Sequence, residues 1–371
     1  MAGESRFRQV LLTIVCVLLL LMLLTGCGGQ EKKEPIDEIN KDDKTANGAT
    51  TLDEVQTWAY QIQSISEPGA VEALAESSYD LLVVEPTRTD WSSDDRYFDT
   101  TGMVETLKDS TAGDGKHRKL VLAYLDIGEA EDWRWYWDWS QEWEEDKPRP
   151  EDWPEFILTH DPDGWEGNYP VAYWEQDWKD IMIYGVGEDG NGERDYESAM
   201  DEILRDGFDG VYMDWVEGYE NIEVALEAMR QELDPADEMV SFIKEIREYA
   251  RERDPDFLVV QQNASSLGSE RPESLRYIDA IAQEAIWFDG DAFDEWDEPD
   301  AADIPVEPEL TREYLANLDV YLEAGLPVLD CEYAVSEADD AYHQSWDMGF
   351  IPYCTRRSLS RLTTTPPWDF R

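Results

Sequence analysis

Positive charge is scarce in this chain. Across 371 residues, 30 Lys and Arg face 86 Asp and Glu, for a formal net charge of −56 at pH 7. A surface of that sign repels phosphate backbones and anionic lipid headgroups, which excludes nucleic acid as a partner. It suits either a polycationic partner or a surface adapted to high salt, where self-repulsion is screened within a few ångströms. We take the high-salt adaptation as the expectation, and its consequence is that counting carboxylates alone cannot find an active site. Histidine is rarer still. His117, His160 and His343 lie far apart with no H-x-x-x-H, so neither a zinc centre nor any other metal or organic cofactor is expected. No G-x-S-x-G elbow occurs, and no Gly-rich phosphate turn follows the first apolar run, where the chain reads "QIQSISEPG". Cysteine occurs four times: Cys16 and Cys27 near the N-terminus, then Cys331 and Cys354. The last two, 23 residues apart, allow a disulfide or two separate buried thiols, and neither carries a protease signature.

The N-terminus has its own logic. Arg6 and Arg8 precede "VLLTIVCVLLLLMLL", and "LTGC" follows at Leu24–Cys27. That is a secretory signal whose ending resembles a lipobox, which makes Cys27 the expected lipid anchor and residues 1–27 the leader. The alternative, an uncleaved membrane helix, asks a short run to span a bilayer. Both place the folded part outside the cytoplasm, held at the membrane. Residues 28–54 have few apolar positions and no period, and read as a flexible tether. Residues 55–371 contain no second segment of that kind and read as one domain, with no obligate protein partner expected.

Eight short apolar runs punctuate that domain: 58–63, 79–86, 119–128, 169–174, 208–215, 256–263, 277–286 and 326–334. They are nearly continuous rather than alternating, as strands covered on both faces should be. Helical patterns lie between several of them, at 69–77, 195–206, 235–254 and 311–325. In 235–254, Met239, Phe242, Ile243, Ile246 and Tyr249–Ala250 form one stripe. The alternation predicts a (β/α)8 barrel of the TIM type, with an open doubly wound sheet as the second choice.

Polar groups at the C-terminal strand ends line the mouth of such a barrel. Here the runs finish in Glu85, Asp126 with Glu129, Trp174 with Glu175, Asp214, Gln262 with Asn263, Glu284, and Asp330 with Glu332. Side-chain alternation puts Gly210, Tyr212 and Asp214 on one face of the fifth run, and Ala280, Ala282 and Glu284 on one face of the seventh. Small or aromatic residues below a terminal acid suit a packed interior with the acid at its rim. Two carboxyls reaching one cleft are what glycoside hydrolysis needs: one protonates the leaving oxygen, and the other is nucleophile or base. Each acid alone also reads as a solvated rim residue or an ion-pair partner. Aromatic rings are common platforms for sugars, and Trp occurs 16 times. Trp174 and Trp215 adjoin strand ends and are the platform candidates. Trp135, Trp139 and Trp143, spaced by four, read instead as one helix face packed on the barrel.

The stretches "VLAYLDIGEAEDWR", "YPVAYWEQDW", "GFDGVYMDWVEGY", "VVQQNASSL" and "IDAIAQEAIWF" together resemble the serial motifs of glycoside hydrolase family 114. Its members are (β/α)8 proteins often described as endo-α-1,4-polygalactosaminidases. The resemblance runs over about residues 55–360. It implies hydrolysis of a galactosamine-rich polysaccharide and maps the catalytic pair onto Asp214 and Glu284. By analogy Asp214 is the nucleophile or stabilising anion and Glu284 the acid/base. Cleft residues map onto Tyr124, Glu129, Trp174 and Asn263. Asp126, Trp215 and Glu332 complete the expected substrate-binding set, and the acids Asp330 and Glu332 leave another pairing open. The competing class is a surface lipoprotein that captures a glycan without cleaving it.

Overall fold

The computed structural model describes residues 51–371, apart from 87–96, 141–142, 145–146, 186, 189–194, 293–295 and 299–300. The expected leader with Cys27, and the tether up to residue 50, lie outside the described residues. The described residues begin inside the expected tether. The amide and hydroxyl of Thr51 both bond the Glu54 carboxylate across one 3-10 turn, Leu52–Glu54, and Leu52 packs on the core. Among the described residues no helix is long and apolar enough to cross a membrane.

Eight parallel strands form a nearly closed barrel: β1 (Trp58–Gln61), β2 (Leu81–Val84), β3 (Leu120–Asp126), β4 (Gly210–Asp214), β5 (Leu258–Gln262), β6 (Ala280–Glu284), β7 (Val328–Glu332) and β8 (Ile351–Cys354). Each pairs with the next in chain order, as the (β/α)8 expectation requires. The seam is closed by side chains. Trp58 Nε1 on β1 donates to the Ile351 carbonyl on β8 at 2.7 Å, and its ring lies 5.8 Å from that of Tyr353.

The count of eight matches the expectation, but the set does not. Run 169–174 is not a barrel strand. Asn168–Pro170 instead pairs antiparallel with Glu129–Glu131 in a two-stranded ribbon. The place it leaves is taken by Ile351–Cys354, a four-residue strand with a proline at its second position. Proline donates nothing to a ladder and is tolerated at an edge; β8 is such an edge, hydrogen-bonded as a strand to β7 alone.

The expected helices form as α1 (Ala70–Glu76), α3 (Ala199–Asp206), α5 (Pro235–Arg251) and α6 (Pro308–Glu323), joined by α2 (Thr100–Lys108), α4 (Ile222–Arg230) and α7 (Ala338–Met348). Helix α5 starts where Asp234 caps it and Pro235 takes the first position, and it buries Met239, Phe242, Ile243, Ile246 and Ala250 on one stripe. The helix expected around Trp135, Trp139 and Trp143 does not form. The described residues there run in turns and irregular chain, and their rings pack edge to face: Trp137 on Trp153 at 4.9 Å and Trp153 on Tyr169 at 4.8 Å. Such pairs contribute about 0.5–1.5 kcal/mol each beyond their burial, enough to order a loop without a helical ladder.

Register also settles the two cysteines. Cys331 stands opposite Tyr353 and Cys354 opposite Glu332. Neighbours in register share a face, so the two sulfurs lie on opposite faces of the sheet, and both thiols are buried and free.

Candidate active site

The C-terminal ends of β4, β5 and β6 share a backbone feature. Trp215, Asn263, Ala264 and Ala285 all adopt left-handed conformations, with φ of 58°, 53°, 50° and 51°. Each costs of order 1 kcal/mol or more and persists where surrounding contacts hold it. At Trp215 those contacts are visible. Its ring sits against the Cα atoms of two glycines: a Cβ on Gly128 would fall 2.4 Å from the Trp215 carbonyl oxygen, and one on Gly218 would fall 2.7 Å from the ring. The ring is therefore a wedge between two loops, and at 9% exposure it offers a sugar little surface.

The turn at Trp215 aims Asp214. Its Oδ1 accepts the Trp215 amide at 2.7 Å, and its Oδ2 accepts the Tyr124 hydroxyl at 2.6 Å. Two strands away, Glu284 Oε1 accepts the Tyr333 hydroxyl at 2.6 Å, while Oε2 has only a 3.4 Å contact with Asn263 Nδ2. The Asn263 oxygen takes the Glu284 amide and the Gln283 side chain at 3.1 Å each. Its nitrogen also reaches Glu217 Oε1 at 3.1 Å. Asn263 is thus the cross-brace between the two acid-bearing strands. Beneath lies an aromatic floor: Tyr60 and Tyr212 are 5.0 Å apart, with Trp58 6.1 Å from Tyr212 and Tyr124 6.4 Å from Tyr60.

That floor sets the electrostatics. Burial, and next the negative charge of Glu284, raise Asp214 to about 7. Glu217 is pushed well above the usual carboxylate range by burial and then by Asp214.

The other strand-end acids have different surroundings. Asp126 is the cross-strand neighbour of Asp214, but it is sealed, with Oδ1 accepting the Gly128 and Glu129 amides at 3.0 and 2.8 Å. Glu129 is equally buried and accepts Asn168 Nδ2 at 3.0 Å. One oxygen of each has no hydrogen-bond partner. Burial and the charge of Asp126 push Glu129 up to about 12, and burial with the charge of Asp214 raises Asp126. Both support the loop on which Trp215 rests, and Glu129 holds its proton at neutral pH. Glu85 is spent in a buried bidentate pair with Arg134, which also holds Glu131.

Glu332 and Asp330 lie on the outward face of β7, opposite in direction to Cys331. Glu332 is fully buried, and its carboxylate accepts three successive amides, from Ile286 at 2.8 Å, Trp287 at 3.1 Å and Phe288 at 2.6 Å. It holds the loop after β6 and does not face the mouth. Asp330 accepts from Ser345 of α7, so the alternative pairing of these two acids faces the helices rather than a cleft. Trp174 is off the barrel strands; its Nε1 donates to Gln231, at the end of α4, at 3.1 Å.

Of the expected site residues, the structure brings together Asp214, Glu284, Tyr124 and Asn263. Two further groups belong with them, Tyr333 and Glu217. Tyr333 was legible by alternation, since Leu329, Cys331 and Tyr333 share the inward face. Glu217 lies two residues past the left-handed Trp215, in a 3-10 turn where strand alternation no longer applies. Among the described residues no group of three His, Cys, Asp or Glu side chains is arranged to hold a metal ion. The arrangement can supply a held anion and a proton-bearing acid on the two sides of β5.

Comparison with known proteins bears on what such a pair acts upon. The family model described as glycoside-hydrolase family GH114 matches residues 40–367. A protein of Deinococcus radiodurans is 28% identical over 318 residues, covering 85% of each chain. Among solved structures, Ega3 of Aspergillus fumigatus, crystallised in complex with galactosamine, superposes with a TM-score of 0.53 at 16% identity, covering 86% of this chain and 98% of its own. The glycoside hydrolase domain of PelA from Pseudomonas aeruginosa gives 0.52 at 14% identity, covering 83% and 97%.

Proposed function

This chain belongs to glycoside-hydrolase family GH114, and from that premise we propose that it hydrolyses a galactosamine-type polysaccharide with Asp214 and Glu284 as the working carboxyl pair. One observation carries the choice of pair. Asp214 and Glu284 keep part of their surface open to solvent, whereas Glu85, Asp126, Glu129, Asp330 and Glu332 are buried; Glu217 is partly open, but its Oε2 is buried without a hydrogen-bond partner. A polymer reaches only acids that water reaches.

The roles follow from how each carboxyl is held. Both oxygens of Asp214 accept short hydrogen bonds, from Tyr124 and from the Trp215 amide, which favour its anionic form and fix its direction. Glu284 is held firmly through Oε1 alone. Its Oε2 is free to carry a proton and present it to a glycosidic oxygen. Burial and next the charge of Glu284 raise Asp214 to about 7, so the state of one carboxyl bears on the other. When Glu284 carries that proton, the charge opposing ionisation of Asp214 is gone. Glu284 then gives the proton to the leaving oxygen as the bond breaks, and Asp214 meets the positive charge developing at the anomeric carbon. The aminosugar part of the reading draws support from the galactosamine in the Ega3 complex and from the acidity of the chain, which favours a cationic polymer.

The test is a panel of partially deacetylated galactosamine and glucosamine polymers, incubated with the full chain at high salt and read for reducing ends. Reducing ends from the galactosamine polymer support the proposal. Retained binding without new ends from any polymer supports a glycan-capturing lipoprotein instead. Anchoring through Cys27 is a separate part of the proposal: Cys27→Ser should release the protein from membranes into the medium, and a variant that stays membrane-bound removes the lipid anchor.

A further inference from the structure

The two working acids are each held by a phenol, but the phenols have different neighbours. The Tyr124 ring packs on Tyr60. The Tyr333 ring lies under a cation: the Arg357 guanidinium carbon stands 4.4 Å from its centroid. Arg357 follows β8 and is anchored in turn. Its Nε donates to Asp289 Oδ1 at 2.9 Å and to the Gly290 carbonyl at 3.0 Å, and its Nη2 also reaches Asp289. Gly290 presses on the other partner, since a Cβ there would fall 2.8 Å from the Tyr333 carbonyl oxygen. A short ribbon strand, Phe288–Gly290, therefore fixes both the guanidinium and the residue beneath it.

We propose that Arg357 is a positioning residue for Glu284 and acts through Tyr333. The positive charge over the ring draws density from the phenol and strengthens its O–H as a donor. The clamp on Asp289 and Gly290 keeps the ring turned so that this O–H meets Glu284 Oε1 at 2.6 Å. Among the described residues, the titratable groups that interact with Glu284 include Tyr60 from β1, Tyr212 and Asp214 from β4, Glu217 from the turn beyond it, Cys331 and Tyr333 from β7 and its end, and Arg357. Of this set Arg357 is the cation; every other member is neutral or negative. Its removal leaves the Glu284 anion among like charges and a weaker phenol donor, so the proton is held more tightly.

The effect on hydrolysis rests on the carboxyl-pair reading; the effect on Glu284 itself does not. The experiment therefore follows the side-chain carboxyl 13C signal of Glu284 against pH in the full chain, assigned by its loss in Glu284→Gln. Arg357→Gln is expected to move the midpoint of that signal to higher pH by about one unit, a tenfold tighter hold on the proton. Arg357→Lys restores part of the shift, because charge returns without the planar fork. In a Tyr333→Phe background, Arg357→Gln moves the midpoint little further. Asp289→Asn, at a half-exposed position, removes the counter-charge and moves the midpoint down; this variant decides the matter if Arg357→Gln fails to fold. An unmoved midpoint in folded Arg357→Gln, an equal shift in the Tyr333→Phe background, or an unmoved or raised midpoint in Asp289→Asn overturns the proposal. With polymer as substrate, the alkaline limb of kcat/KM moves in the same direction as the carbon signal. If the native chain cleaves nothing, the functional reading fails, and the carbon signal still decides the role of Arg357.

Discussion

Asp126 and Asp214 stand side by side on adjoining strands, paired in register at the rim of the barrel. The first is 3% exposed and bonded to its own loop, whereas the second keeps contact with solvent and takes a phenol hydroxyl. Two identical side chains at one level of one sheet thus have opposite surroundings, set by what closes over each.

That contrast yields the first prediction. Asp214→Asn and Glu284→Gln should each lower polymer hydrolysis by about 10^2–10^4-fold, the usual worth of one acid–base group, with melting temperature and polymer binding retained. Asp126→Asn should lose far less, because that side chain is sealed from the cleft and an amide oxygen can still accept the Gly128 and Glu129 amides. Initial rates of reducing-end release, measured beside thermal melts, separate the three variants. Equal losses in all three would remove the distinction.

A second prediction concerns Glu129, raised to about 12 by burial and the charge of Asp126. A carboxyl whose folded value is raised above its unfolded value, about 4.3, binds its proton more tightly when folded. Its contribution to stability is therefore complete below the unfolded value and declines as pH rises from there toward the folded value. Glu129→Gln removes that decline. Its melting temperature relative to the native chain should rise between pH 5 and pH 8, by roughly 2–4 °C for each kcal/mol recovered. Taking the difference between the two chains cancels the general repulsion of the acidic surface. A constant difference across that range would count against a protonated Glu129.

Glu332 supplies a third. Three backbone amides converge on its buried carboxylate, and leaving a buried donor without a partner costs about 1–3 kcal/mol. Glu332→Ala should destabilise the fold by about 3–5 kcal/mol in urea unfolding. The fraction that remains folded should keep its KM for polymer. A raised KM at normal stability would instead return Glu332 to the substrate-binding set.

The fourth tests the wedge. Gly128→Ala puts a methyl 2.4 Å from the Trp215 carbonyl oxygen, so the turn that aims Asp214 must shift. Overpacking of this kind costs about 1–3 kcal/mol. The expected signature is a kcat loss larger than the KM change, because in the proposed mechanism the misplaced group is the reacting one. Unchanged kinetics would show that the turn tolerates the methyl and that Asp214 is aimed by other contacts.

Much of the barrel's C-terminal end could be read from short stretches. Gly210, Tyr212 and Asp214, and likewise Ala280, Ala282 and Glu284, are assigned to one face by alternation alone, and the structure keeps both assignments. Family motifs carried Tyr124 and Asn263 to the same place. The failures have a common origin. The run 169–174 is as apolar as a barrel strand but pairs with Glu129–Glu131, and "IPYC" at 351–354 is too short, with its proline, to be recognised without the neighbour it pairs with. Glu332 ends an apolar run as Asp214 does, yet alternation within β7 turns it to the helices.

The chain's order of residues, by itself, determined which side chains share a strand face, roughly where four of the helices lie, and that acids stand at the ends of the apolar runs. These follow from backbone geometry within a few residues. Tertiary structure alone decided which runs enter the barrel, which of the many acids remain open to water, and that a guanidinium from beyond the last strand lies over the phenol that holds Glu284. Those outcomes depend on pairing and burial between segments far apart in the chain, where the energy of a contact is invisible until both partners are in place.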